Sequence, residues 1–222
     1  MQTLAQQLIH FYQQLTPPPV PPEIDILHPQ PNREVMDIVK QFFEKFYTDN
    51  RPRKLMLGIN PGRFGAGITG INFTAPRQLK ENCGIDHPWG NTTELSAEFI
   101  YEMITQYGGP KKFYSDYFIG AMSPLGFVKH GKNINYYDDK NLQQAVTSFI
   151  TETIQQQIQM GFATDICICI GGEKNYKFLT SLNEQHGFFK KITALPHPRF
   201  IMQYRRKRKQ DYVKQWLDAL KN

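Results

Sequence analysis

At 222 residues, with 40% hydrophobic side chains and a formal net charge of +6, the chain is long enough to bury one substantial core, and a single domain over 1–222 is expected. Its three cysteines, Cys83, Cys167 and Cys169, make no CxxC pair and no even-numbered framework, which argues against a disulfide scaffold, a metal site or an iron–sulfur cluster. No stretch of 18 apolar residues occurs, and the N-terminus has neither a basic nor a continuous apolar leader region, so a soluble cytoplasmic protein is expected.

Leu4, Leu8, Phe11, Tyr12 and Leu15 recur at helical spacing and predict a helix over 2–15. The next stretch, TPPPVPPEIDILHPQPN, holds seven of the fifteen prolines. Within it Ile24, Ile26 and Leu27 predict an extended segment laid across the body. Asn32 is placed to cap a helix running to about Tyr47, with Glu34 in its first turn complementing the helix dipole. A strand is expected over 54–59, then a loop-rich region to Gly90, then a helix over 94–107 capped by Thr93. Further strands are expected over 117–122, 165–170 and 191–195, with helices over 140–160 and 173–186 and a final helix closing the chain. The helices are long enough for right-handed crossovers, which gives a small parallel sheet flanked by helices over 54–222, with 1–53 adding N-terminal helices and the Pro-rich segment.

In such a sheet the carboxyl ends of the strands share one rim, where ligands bind. The first strand ends in Asn60-Pro61-Gly62, followed by a loop with glycines at 65, 67 and 70 and then Asn72-Phe73. Read alone, this is a strand and a turn, since Asn-Pro and Gly are common turn residues. The strand over 117–122 leads to Ser123-Pro124, however, and that over 191–195 to Pro196-His197-Pro198. Asn60, Ser123 and His197 are thereby expected to face one cleft. The motifs offer an amide, a hydroxyl, an imidazole and aromatic rings, with no carboxylate; GxSxG, GxxxxGK[ST] and HExxH are all absent. Such a set can hold water and stabilise an anion. The charge excess lies in one stretch, 199–209, where six basic residues stand with no acid, while the remaining 20 bases balance 20 acids. Interleaved with Phe200 and Tyr204, it suits a polyanion with stackable rings, which is to say nucleic acid.

The sequence GINPGRFGAGITGINF, with the distant strand-end His197-Pro198, resembles the uracil-DNA glycosylase superfamily, and within it the single-strand-selective monofunctional family in its bacterial second subgroup. The resemblance covers about three quarters of the chain, from Lys54 onward. It implies a three-layer α/β/α fold around a four-stranded parallel sheet. It also implies a monofunctional enzyme that hydrolyses the N-glycosidic bond of deaminated bases in DNA and leaves an abasic site for base excision repair. Residue by residue, it implies that Asn60 positions the attacking water and that His197 stabilises the departing base as an anion. Gly62 takes the place of a tyrosine that excludes the thymine methyl in other branches, and Phe73 stacks on the extruded base. Arg199, Phe200, Tyr204, Arg205, Arg206 and Lys207 fall where the family inserts its DNA-contacting wedge. No cofactor, metal or membrane is implied, and the partner is DNA bearing a damaged base, acted on by a monomer associated with the bacterial nucleoid.

Two departures stand out. Ala121 occupies the rim position where the family carries a base-reading asparagine, and HPRF replaces the usual HPSPR pattern. Alanine cannot contact a pyrimidine edge, and losing a paired amide removes about 1–3 kcal/mol of base discrimination. A relaxed pocket is therefore expected, in which the backbone amides at Ala121, Met122 and Ser123 and the Ser123 hydroxyl read the base, and xanthine or hypoxanthine join uracil as substrates. The alternatives are a nucleic-acid-binding module of the same fold with little turnover, which the missing asparagine permits, and a small-molecule α/β hydrolase, which has no use for the basic cluster. His87, His130, His186 and the Asn-rich segment 132–136 are expected to be surface or loop residues.

Overall fold

The computed structural model describes residues 2–221. Helix α1 (Leu4–Gln14) starts at Thr3, whose side chain forms a reciprocal capping box with Gln6. Strand β1 (Ile24–Leu27) follows the proline tract, and α2 (Arg33–Phe46) begins at Asn32, whose side chain accepts from the backbone N–H groups of Glu34 and Val35. Strand β2 (Lys54–Gly58) leads into two short helices, α3 (Ala66–Thr69) and α4 (Pro76–Glu81), within the expected loop region. Next come α5 (Leu95–Tyr107), α6 (Pro110–Asp116) and β3 (Tyr117–Ala121). Strands β4 (Gly126–Lys129) and β5 (Lys132–Ile134) form a hairpin before α7 (Lys140–Gln159), β6 (Ala163–Cys169), α8 (Gly172–His186) and β7 (Ile192–Ala194). The expected final helix is divided into α9 (Pro198–Tyr204), a 3₁₀ turn (Arg206–Arg208) and α10 (Lys209–Leu220).

The main sheet has the order β3-β2-β6-β7 and is parallel throughout, with Leu55 opposite both Phe118 and Cys167. Helices cover it in a three-layer α/β/α arrangement; β2, β3 and the second half of β6 are buried and apolar, as strands covered on both faces are, while the edge strand β7 is only partly buried. Side chains of the first 53 residues, among them Leu8, Phe11, Val39 and Phe42, belong to the same hydrophobic core as Leu55, Phe99 and Trp216.

A second, antiparallel sheet, β1-β4-β5, lies outside the sequence expectation. The extended Pro-rich segment becomes β1 by pairing Ile24 with Lys129 and Leu27 with Gly126. The β4–β5 turn is the two-residue pair His130-Gly131, both at positive φ (49° and 69°), as a tight hairpin requires. The expected cap for α5 is also displaced: Glu94 holds the N-cap position, and the Thr93 hydroxyl donates instead to Gln78 Oε1.

A buried cation anchors the start of β2. Arg53 is 1% exposed; its Nε donates to the Tyr114 carbonyl, its Nη1 to Asp49 and to the Arg51 carbonyl, and its guanidinium lies 5.6 Å from the Tyr47 ring centre. Burial alone would raise the Asp49 carboxyl, but hydrogen bonds from Arg53 and Arg51 outweigh it and hold it at about 2. Its stabilising contribution is therefore present above the ordinary carboxylate pKa of about 4 and is lost as pH falls through about 2. Asp49→Asn is expected to cost about 1 kcal/mol at neutral pH, a low figure because Asp49 is partly open to solvent. The difference between variant and parent should shrink on acidification, which urea unfolding at two pH values would read.

Candidate active site

Gly58 ends β2, and the chain then turns through Asn60-Pro61-Gly62 on the carboxyl rim of the sheet. The Asn60 side chain is fixed on both ends. Its Nδ2 donates to the carbonyls of Ile134 (3.2 Å) and Pro61 (3.3 Å), and its Oδ1 accepts from the Tyr136 backbone N–H (3.1 Å). Beside it, Asn133 Oδ1 accepts from the backbone N–H and the Nε of Arg63. The Asn-rich segment 132–136, expected to consist of surface or loop residues, is thus the clamp that orients the Asn60 amide. Tyr136 is fully buried, and its hydroxyl donates to Asn175 Oδ1, while Asn175 Nδ2 reaches back to the Gly58 carbonyl at 3.4 Å.

Phe73 sits at φ +55°, a left-handed conformation that costs a non-glycine residue about 1–2 kcal/mol. That backbone brings its ring against Gly58, where an added Cβ would stand 2.6 Å from Phe73 Cε2. The Phe73 and His197 ring centres are 6.0 Å apart at 47°.

His197 is the N-cap of α9, and its Nδ1 accepts from the Arg199 backbone N–H at 3.0 Å. An N–H can only donate, so the proton of the neutral ring sits on Nε2, leaving a donor for the cleft. Burial, assisted by the nearby Arg199 charge, pushes the imidazole down to about 4. The ring is neutral at physiological pH.

Asn60, Gly62, Phe73, Ala121 and His197 line one cavity of about 340 Å³, at the small end of ligand-site volumes. Arg199, Phe200 and Tyr204 border it, and Phe200 and Tyr204 are 41% and 61% exposed, with the Arg205 guanidinium 5.5 Å from the Phe200 ring centre. Arg205, Arg206 and Lys207 are exposed farther along the same stretch, outside the cavity lining. The cluster is less free than its composition suggests: Arg208 pairs with Asp211 and Lys209 with Glu102.

The structure corrects the base-reading expectation at two residues. Met122 and Ser123 are fully buried and lie behind the cavity wall. Their backbone N–H groups donate to the carbonyls of Gly58 and Ile59, prolonging the β2–β3 pairing, and so are not available to a ligand. The Ser123 hydroxyl closes a local turn, donating to the Leu125 carbonyl at 2.7 Å and accepting from its N–H. Ala121 alone of the three faces the cavity.

Sequence reasoning missed Glu94, a carboxylate in the lining. Its neighbours Gly62 and Gly65 lie some 30 positions away, so no local pattern announces it. Burial raises its pKa, with Arg199 opposing. Exposed Phe64, under the Arg63 guanidinium at 5.1 Å, was also unmarked. Among the described residues no group of three or more His, Cys, Asp or Glu side chains is placed to hold a metal ion, and no helix is long and apolar enough to cross a membrane.

The sequence model of the Uracil DNA glycosylase superfamily matches residues 44–221. The chain belongs to that superfamily. Its backbone superposes on the crystal structure of wild-type Pedobacter heparinus SMUG2 with a TM-score of 0.96 and 46% identity, over 100% of this chain and 98% of that one. This places the chain in the single-strand-selective monofunctional branch of the uracil-DNA glycosylases. No functionally curated protein matches it. Uracil-DNA glycosylase-type activity on damaged DNA follows from that membership.

Proposed function

We propose that the protein is a monofunctional DNA glycosylase for deaminated bases, releasing uracil and also xanthine or hypoxanthine, and leaving an abasic site. The observation that carries this reading is the pairing, within one base-sized cavity, of a neutral His197 with its Nε2 proton free and an Asn60 amide locked by backbone groups.

Breaking an N-glycosidic bond builds positive charge on the sugar and negative charge on the base. A fixed donor aimed at the developing oxyanion stabilises it by about 2.7–4 kcal/mol in comparable sites. His197 Nε2 supplies that donor without carrying a charge of its own. Asn60 Oδ1 keeps a second lone pair beyond the one given to Tyr136, enough to orient a water but too weakly basic to deprotonate it. The target base must leave the stack to enter the cavity, and Phe73 offers the ring that replaces its lost stacking. No lysine is among the described residues lining the cavity, which favours hydrolysis without Schiff-base strand incision. With Ala121 on the rim and the Met122 and Ser123 donors already engaged, no side-chain amide on that strand selects a pyrimidine edge. The cavity therefore accepts deaminated purines.

Gly58 tests the stacking role. Alanine there would push the Phe73 ring from its seat, and Gly58→Ala is expected to slow excision on the order of tenfold while the fold persists. The substrate range is tested with oligonucleotides carrying a single uracil, xanthine or hypoxanthine. Alkali-labile sites should appear for all three with no strand breaks before alkali. Release of uracil alone would remove the purine part of the proposal, and breaks before alkali would remove the monofunctional part.

A further inference from the structure

Among the described residues lining the cavity, Glu94 alone carries a carboxyl group, and no hydrogen bond or ion pair engages it there. Its carboxyl fills space left by two glycines: a Cβ on Gly65 would collide with it, and a Cβ on Gly62 would come within 3.9 Å of Oε2. Gly62 leaves the sheet from β2 and His197 leaves it from β7, two strands away in the order β3-β2-β6-β7. At about 4.8 Å per strand, the two walls are roughly 10 Å apart. Glu94, seated against Gly62 and Gly65, and His197 line the same cavity, so a base gripped at one edge by His197 has a second edge within the space that Glu94 borders. At the place where a purine presents N7, an acceptor, uracil presents C5–H, which accepts no proton.

We propose that Glu94 is a catalytic acid for purine leaving groups, delivering its proton to N7 of an extruded deaminated purine. This rests on the glycosylase reading above and adds a residue to it. As the C1′–N9 bond breaks, its electron pair passes to the purine, and the Glu94 proton on N7 makes the departing base neutral. The water oxygen bonds to C1′ and surrenders a proton to solvent, and the Glu94 carboxylate regains one from solvent, so the step balances as simple hydrolysis. Burial favours the protonated form of the carboxyl, and the nearby Arg199 charge opposes it. The other titratable groups bordering the same cavity are His197, Tyr137 and Tyr204.

The test is the single-turnover rate on oligonucleotides bearing one hypoxanthine or one uracil, for the intact protein and for Glu94→Gln and Glu94→Asp. The Gln variant is expected to lower the hypoxanthine-to-uracil rate ratio by roughly 100-fold, the lower end of general-acid effects. The Asp variant, which keeps the acid, should recover part of that ratio. With the parent protein, hypoxanthine release should fall as pH rises through the Glu94 titration. An unchanged ratio in Glu94→Gln, including one where both rates fall together, overturns the proposal, as does hypoxanthine release that increases with pH. A parent protein that releases uracil but never hypoxanthine overturns it while leaving the glycosylase reading intact. A parent that releases neither base overturns both.

Discussion

Replacing His197 with asparagine is expected to slow uracil release roughly 10²–10³-fold, the effect of deleting one preorganised donor from an oxyanion site. Asparagine is chosen because it is among the best N-cap residues, so the Arg199 N–H that His197 now satisfies keeps a partner and α9 keeps its start. The loss then reports the Nε2 donor and not a disturbed helix. The pH profile carries the same claim. An imidazole held at about 4 is neutral throughout the working range, so uracil release should show no inflection near the ordinary histidine pKa of about 6.5. A rate that climbs as pH falls through that value would mean that the imidazolium is the active form.

Replacing Asn60 with alanine is the second large effect, expected to reduce excision by roughly 100-fold or more through loss of an oriented water. The variant also strands the Tyr136 N–H and the Ile134 carbonyl, which Asn60 now satisfies, at about 1–3 kcal/mol of stability. Unmodified DNA should still bind nearly as well, because the basic residues of 199–209 are untouched. Activity lost while DNA binding and a cooperative melting transition, lowered by only several degrees, are retained separates a missing catalytic group from a damaged fold.

The parallel sheet was legible in the sequence because its strands are apolar runs that stop at Asn-Pro-Gly, Ser-Pro, Gly-Gly and Pro-His-Pro. Because the carboxyl ends of parallel strands share one rim, Asn60 and His197 meet across 137 positions of sequence, and both line one cavity. Ser123 misled because a hydroxyl before Pro124 looks free in sequence, whereas in space it closes its own turn onto Leu125. The β4–β5 hairpin was hidden by composition: His130, Lys132 and Asn133 read as surface or loop residues, and His130-Gly131 is not among the turn pairs that mark a hairpin in sequence. That miss mattered, since the hairpin and the residues just after it hold Asn60 in register. Glu94 was invisible for a different reason. Its significance depends on two glycines in a distant loop, and only the folded chain brings them to its carboxyl.

The most direct test of the whole account is uracil release at neutral pH from an oligonucleotide carrying one uracil, with the free base quantified by chromatography for the parent protein, Asn60→Ala and His197→Asn. Free uracil and a matching yield of abasic sites are expected from the parent, with both variants slowed by roughly two orders of magnitude or more. Unchanged rates in both variants, or no free uracil from a folded parent protein, would contradict it.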